Sequence, residues 1–173
     1  MNSLIIYSST DGQTKKICET IKENSTNKNS YELIALEEAF HKDINKYDQI
    51  IIGASIRYGR HNPKVYKFVN KFRNILDKKK SAFFSVNVVA RKPKKNTSDT
   101  NPYIKKFLKK SSWQPKKLDV FAGKIDYPSL SFINKNIIRL IMFVTSGPTN
   151  INNCYEFTDW QRVKKFISEF DEM

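Results

Sequence analysis

Along the chain, short unbroken apolar runs alternate with stretches in which apolar residues recur every three or four positions. Leu4 to Tyr7 is the first run, and after a polar loop Ile17, Cys18 and Ile21 recur at helical spacing from Thr14 onward. Tyr31 to Leu36 and Asp48 to Ala54 (DQIIIGA) read as further strands. The second is a continuous β-branched run suited to burial on both faces. Val65, Phe68, Val69, Phe72 and Leu76 mark one face of a helix that ends before the lysine run Lys78 to Lys80. Ser81 to Val89 predicts a strand, Pro102 to Lys110 a short helix with Ile104, Phe107 and Leu108 inward, and Asp119 to Tyr127 (DVFAGKIDY) another strand. The closing helix starts at Thr158 and Gln161, which match the S/T-x-x-E/Q capping box, and carries Trp160, Val163, Ile167 and Phe170 on one stripe. This alternation predicts an α/β fold, a parallel sheet covered by helices on both faces, in one domain over residues 1–173 without internal repeats.

One connection breaks the rhythm. Pro128 to Phe157 is too long for the tight loops of such a sheet. Within it Ile133, Ile137, Leu140, Ile141 and Val144 fall on one helical face, with Lys135, Asn136 and Arg139 on the other. The pattern predicts an amphipathic helix of about three turns, either packed on the core or lying on a surface such as a membrane.

Charge adds a partner class. Of 173 residues, 31 are basic and 17 acidic, a formal net charge of +14, which attracts some polyanion: nucleic acid, anionic lipid or a polycarboxylate. Joint enrichment in lysine, asparagine and isoleucine matches an AT-rich genome and accounts for part of the excess. A nucleic-acid-binding domain is a competing reading, through lysine runs interleaved with Phe83, Phe84 and Tyr103, but neither an RRM signature nor a zinc pattern accompanies it. Two isolated cysteines, Cys18 and Cys154, make no disulfide framework and read as structural thiols in a reducing compartment. With no signal-peptide pattern and no run of about 18 apolar residues, the expected location is cytosolic, without a membrane span.

The candidate chemistry lies in the loop after the first strand. Ser8, Ser9, Thr10 and Thr14 supply hydroxyls, Gly12 allows close backbone approach, and Gln13 supplies an amide, with Asp11 between them. Serine and threonine also cap helices whatever the function, yet four hydroxyls and a glycine in seven residues exceed what a cap needs. At the start of a helix beside strand carboxyl ends, such a loop fits a phosphate. It is neither GxxxxGK[ST] nor GxGxxG, so the better fit is a mononucleotide held by hydroxyls and amides.

This loop resembles the flavodoxin phosphate loop. Together with GASIRYG (Gly53 to Gly59), SVNVVARKP (Ser85 to Pro93) and TDW (Thr158 to Trp160), the chain resembles the flavodoxin-like, menaquinone-dependent protoporphyrinogen IX dehydrogenases of haem biosynthesis over essentially its whole length. The resemblance implies a doubly wound five-stranded parallel sheet of order 2-1-3-4-5, with the insertion at about 128–157. It implies FMN as cofactor, its phosphate held by Ser8 to Thr14. The isoalloxazine ring would lie between Ser55, Ile56, Arg57, Tyr58 and Gly59 on one side and Ser85, Val86, Asn87 and Arg91 on the other. Arg57 and Arg91 are the candidate substrate contacts, since an arginine fork suits a propionate, although Arg57 and Tyr58 could equally cover the sheet edge. Arg91, Lys92, Lys94 and Lys95 form a basic run that would steer an anionic porphyrinogen. The implied reaction is oxidation of protoporphyrinogen IX with a membrane quinone as acceptor, by a protein peripheral on the inner face of the cell membrane. The alternative is a flavodoxin-like electron carrier or quinone reductase that does not act on porphyrinogens, although electron carriers of that fold are typically acidic. No metal site is expected, and no general base is assigned; of His41 and His61, only His61 falls near the site, with a local surface role.

Overall fold

The computed structural model describes residues 2–26 and 30–173. Five parallel strands, β1 (Ser3–Ser8), β2 (Tyr31–Ala35), β3 (Gln49–Arg57), β5 (Lys80–Val86) and β6 (Lys117–Phe121), lie in the order β2-β1-β3-β5-β6. This is the predicted doubly wound order, 2-1-3-4-5 when only the parallel strands are numbered. A two-residue strand, β4 (Arg60–His61), folds back antiparallel onto the end of β3.

The sheet is buried on both faces, which explains the unbroken apolar runs. Ile50 and Ile52 point to one side, where α3 (Pro63–Lys71), α4 (Arg73–Lys78) and α5 (Pro102–Lys110) contribute Val65, Phe68, Leu76 and Phe107. Ile5 and Ile51 point to the other, against Ile17, Cys18 and Ile21 of α1 (Gln13–Asn24) and Val163, Phe166 and Phe170 of α7 (Trp160–Glu172). Gly53 belongs to this packing: a Cβ there would collide with the ring of Phe84 on the adjacent strand.

Several boundaries differ from the pattern-based ones. The helix marked by Val65 to Leu76 breaks at Phe72 into α3 and α4. Leu36 leaves β2 to open the short helix α2 (Leu36–Ala39). The strand expected to reach Val89 stops at Val86, and a 3-10 turn follows at Val88–Arg91, capped by the Asn87 side chain. DVFAGKIDY is two strands: β6 ends at Phe121, and after Ala122-Gly123 the chain enters β7 (Lys124–Asp126), which leaves the main sheet and pairs antiparallel with β8 (Cys154–Glu156). Between them lies the expected amphipathic helix, α6 (Phe132–Val144).

The capping box does not form. Asp159 is the N-cap of α7, its carboxylate accepting from the backbone N–H groups of Gln161 and Arg162. The Thr158 hydroxyl is engaged elsewhere, donating to the Ala122 carbonyl at 2.8 Å and accepting from Gln13 Nε2 at 2.9 Å. Of the two cysteines Cys18 is a core thiol, but Cys154 is exposed on β8, a short ladder outside the main core.

His61 also departs from expectation. It is not on the surface but inside an aromatic cluster with Phe83, Phe107 and Tyr66, its Nε2 2.9 Å from Ser85 Oγ. Burial, reinforced by the charge of Lys106, lowers its pKa from 6.5 to about 3. Between those values the unfolded chain binds a proton that the folded chain refuses, so this contribution to stability is complete above the unfolded value and is lost as pH falls toward the folded one. Urea unfolding of the wild type and His61→Gln at about pH 7 and about pH 4.5 checks this: the wild type should lose more stability on acidification, the slopes differing by up to about 1.4 kcal/mol per pH unit. Equal slopes would mean that His61 takes up a proton without unfolding.

Candidate functional site

The carboxyl ends of β1, β3 and β5 open onto a cleft of about 250 Å³, walled on its far side by α6. It lies where the strand order reverses between β1 and β3, the position at which open α/β sheets take their ligands.

At one end is the β1–α1 loop. The N-cap of α1 is Gly12, held left-handed at φ +83°, a conformation costly for other residues, and no side chain caps the helix. The loop hydroxyls therefore do not serve the ordinary capping role. Ser9 Oγ and Thr14 Oγ1 are both buried, and neither has a hydrogen-bond partner. Buried hydroxyls are nearly always satisfied, so two unpaired ones beside the positive end of a helix form a cradle for an anion such as phosphate. Gln13 is different: both amide hydrogens are used, to Glu156 Oε1 at 2.7 Å and Thr158 Oγ1 at 2.9 Å, so the expected amide donor fastens the loop to β8 and to the start of α7.

GASIRYG is mostly strand. Ser55 to Arg57 finish β3, and Tyr58 and Gly59, at φ +48° and +72°, form the two-residue hairpin loop leading to β4. Positive φ at both loop positions matches a hairpin of right-handed twist, and accounts for glycine at the second. Ser55 Oγ donates to the Ser8 carbonyl, tying the hairpin to β1. Arg57 Nη1 reaches Asp11 Oδ2 at 2.8 Å, and its guanidinium lies 5.2 Å from the Tyr58 ring. The Tyr58 hydroxyl donates to Asn134 Oδ1 of α6 at 2.6 Å. Two contacts thus bridge the mouth of the cleft, one from the β1–α1 loop to the hairpin and one from the hairpin to α6.

The third wall follows β5. Val86 and Asn87 line it, while Ser85 lies beneath, fully buried, receiving Asn87 Nδ2 at 3.2 Å and facing His61. Asn101 extends this buried network, bonding Asn87 and gripping the Lys95 carbonyl at 2.8 Å. Arg91 is committed to structure: Nη1 donates to the Val88 carbonyl and Nη2 to both oxygens of Thr145 at the end of α6. Burial lowers its pKa from the usual arginine range.

Among the expected site residues, Ser9, Asp11, Gln13, Thr14, Ser55, Ile56, Arg57, Tyr58, Gly59, Val86, Asn87 and Arg91 line the cleft. Ser8, Thr10, Gly12 and Ser85 do not: Thr10 and Gly12 are exposed on the loop, and Ser8 and Ser85 are strand residues behind the wall. Pattern reasoning missed the wall formed by Gly123 to Asp126, by Ile138 and Met142 of α6 and by its C-cap Thr145. The glycine inside DVFAGKIDY is the signal that could have found it, because glycine within a strand run often marks a break or a close approach.

Comparison with known proteins agrees with this architecture. The Flavodoxin domain family matches residues 4–152. Protoporphyrinogen IX dehydrogenase [quinone] of Escherichia coli K12 is 38% identical over 173 residues, covering 98% of this chain and 94% of the relative. The protein of that name from Leishmania major is 38% identical over 169 residues, covering 96% of this chain and 73% of its own. Among solved structures, oxidised flavodoxin 2 from Bacillus cereus superposes with a TM-score of 0.55 at 18% identity, with 99% of both chains covered. With the family matched over most of its length and relatives this similar across nearly all of it, the chain belongs to the Flavodoxin domain family.

Proposed function

We propose that this protein is a protoporphyrinogen IX dehydrogenase: it oxidises protoporphyrinogen IX to protoporphyrin IX with FMN in the cleft and passes the electrons to a membrane quinone. The observation that carries the reading is the pair of buried, unpartnered hydroxyls, Ser9 and Thr14, at the start of α1, below a cleft whose far wall is an apolar helix. The names of the relatives supply the substrate and the acceptor.

FMN, when bound, would supply the redox chemistry between the macrocycle and the quinone. The chain's own residues bind and orient. Ser9, Thr14 and the first-turn N–H groups of α1 would hold the phosphate, and Asp11 keeps the Arg57 guanidinium at the mouth of the cleft. Ser55 to Gly59 and Val86 to Asn87 would flank the ring, their backbones fixed by the His61–Ser85–Asn87–Asn101 network. Ile138, Ile141 and Met142 exclude water from the far side.

A peripheral position on an anionic membrane, at its cytoplasmic face, belongs to the same proposal. The stripe foreseen on α6 divides: Ile133, Leu140 and Val144, the last 73% exposed, point outward, whereas Ile137 and Ile141 line the cleft, and Phe132 (81% exposed) and Phe143 (74%) join the outer face. Among the described residues no helix is long and apolar enough to cross a membrane. A basic protein carrying such a stripe has both signals for lying on anionic lipid, where a quinone is within reach.

Two measurements check these assignments. Ser9→Ala with Thr14→Val should raise the FMN dissociation constant at least about tenfold, since each hydrogen bond to a charged group contributes about 1.5–3 kcal/mol. The apoprotein should melt no lower, because these hydroxyls bond nothing in the protein. An unchanged dissociation constant would place the phosphate elsewhere. For the membrane, α6 is better resurfaced than deleted, because its inner face, with buried Met142, walls the cleft. The combination Phe132→Ser, Leu140→Ser, Phe143→Ser and Val144→Ser should keep FMN yet release the protein from anionic vesicles at high salt, where the wild type stays bound, as read by flotation. Retention of the resurfaced protein at high salt would overturn the role of this face.

A further inference from the structure

Five cationic side chains line the cleft: Arg57, Arg91, Lys92, Lys95 and Lys124. Three are engaged. Arg57 pairs with Asp11, Lys124 pairs with Asp126 at 3.2 Å, and Arg91 is spent on carbonyl and hydroxyl oxygens. Lys92 and Lys95 form neither an ion pair nor a side-chain hydrogen bond among the described residues.

Their placement is fixed by the backbone. Lys92 is the N-cap of the 3-10 turn Pro93–Lys95 and Lys95 ends it, and both line the cleft. Lys94, between them, does not line the cleft. The turn is clamped from three directions: Lys95 N–H donates to the Lys92 carbonyl at 2.8 Å, Asn101 Nδ2 to the Lys95 carbonyl at 2.8 Å, and Arg162 Nη1 to the Asn96 carbonyl at 2.8 Å. Two lysines with unpaired ammonium groups are thus anchored by their backbone at a cleft also lined by Val88, Val89, Ile138 and Met142.

We propose that Lys92 and Lys95 form the carboxylate subsite of this cleft, taking a flat apolar ligand with two carboxylates on one edge. Resting on the function proposed above, that ligand is the porphyrinogen, with its ring against the apolar wall and its two propionates on the two lysines. The contact assigned by pattern to the Arg57 and Arg91 forks passes to side chains that need break no existing bond to make it. Because the rim is solvated, the ammonium groups lose little hydration on pairing, and the pair acts chiefly as a selector for the dicarboxylate.

The test is a fluorescence titration of the FMN-loaded protein with deuteroporphyrin IX, which carries both propionates, and with its dimethyl ester, which carries neither charge. Lys92→Gln/Lys95→Gln should bind the dicarboxylate about tenfold more weakly than the wild type, and with a shallower salt dependence. The diester should bind both proteins alike, and Lys94→Gln should bind both ligands within about twofold of the wild type. FMN retention in the double variant checks that the neighbouring wall is intact. Unchanged affinity of the double variant for the dicarboxylate overturns the subsite. So does equal weakening for the diester, which would indicate packing, or an equal loss in Lys94→Gln, which would indicate a diffuse field. If the wild type oxidises porphyrinogen and any of these results appears, the subsite alone falls. If the wild type neither binds porphyrin nor oxidises porphyrinogen, the proposed function falls and the subsite with it.

Discussion

The whole molecule depends on a parallel sheet that is covered on both faces. Along β1 and β3 successive side chains enter opposite cores, so Leu4 to Ile6 and Ile50 to Ile52 can only be apolar. Polar chemistry is thereby pushed to the points where strands end. The strand order supplies one place where neighbouring connections diverge, between β1 and β3, and every distinctive loop of the chain opens there. The cleft is a consequence of sheet topology before it is a consequence of any motif, and the motifs decide only what it can hold.

What keeps those loops in place is a second, smaller interior made of polar groups. His61, Ser85, Asn87 and Asn101 form a buried chain of hydrogen bonds running from the β3–β4 hairpin to the basic turn. Each member satisfies another, so the desolvation of four polar side chains is offset, and the walls they support become rigid. A neutral His61 suits this role, since burial opposes its protonation and leaves one ring nitrogen able to accept. On the opposite side, Gln13, Thr158 and Ala122 tie the β1–α1 loop to the last helix and to the end of β6. The loops that would hold a cofactor are therefore set by bonds among themselves.

The sequence exposed the sheet, its order by resemblance, the hydroxyl-rich loop after β1 and the helix of the insertion, because each rests on local periodicity or on residue types crowded into a few positions. It was less informative where one residue has two possible partners. Thr158 and Gln161 match a capping box, but Thr158 is claimed by Gln13, more than a hundred residues away, and Asp159 takes the cap. Gln13 looked like a phosphate donor for the same reason. Arg57 and Arg91 were recognisable as site residues, yet nothing local indicates that Asp11 and Thr145 occupy their forks. Long-range polar pairing has no period, and so leaves no pattern in a single chain. Where burial alone decides, as at Phe68 or Ile167, the pattern and the structure agree.

Helix α6 has two duties with conflicting requirements. Its inner side must be apolar to wall the cleft, and much of its outer side is apolar as well, so the polar face of Lys135, Asn136 and Arg139 is narrow and interrupted by Phe132 and Phe143. It is held by few anchors: Met142 in the small core around Tyr127, the Tyr58–Asn134 bond near one end and the Arg91–Thr145 bonds at the other. Gly147 permits the first and the last of these anchors, since a Cβ there would collide with Met142 and crowd Arg91. An element so thinly attached, with large side chains toward solvent, costs free energy in water unless something apolar covers it. A bilayer would remove that cost and would bring its dissolved quinone to the same helix that walls the cleft, so under the function proposed above the exposed face and the inner wall would serve one electron path from opposite sides.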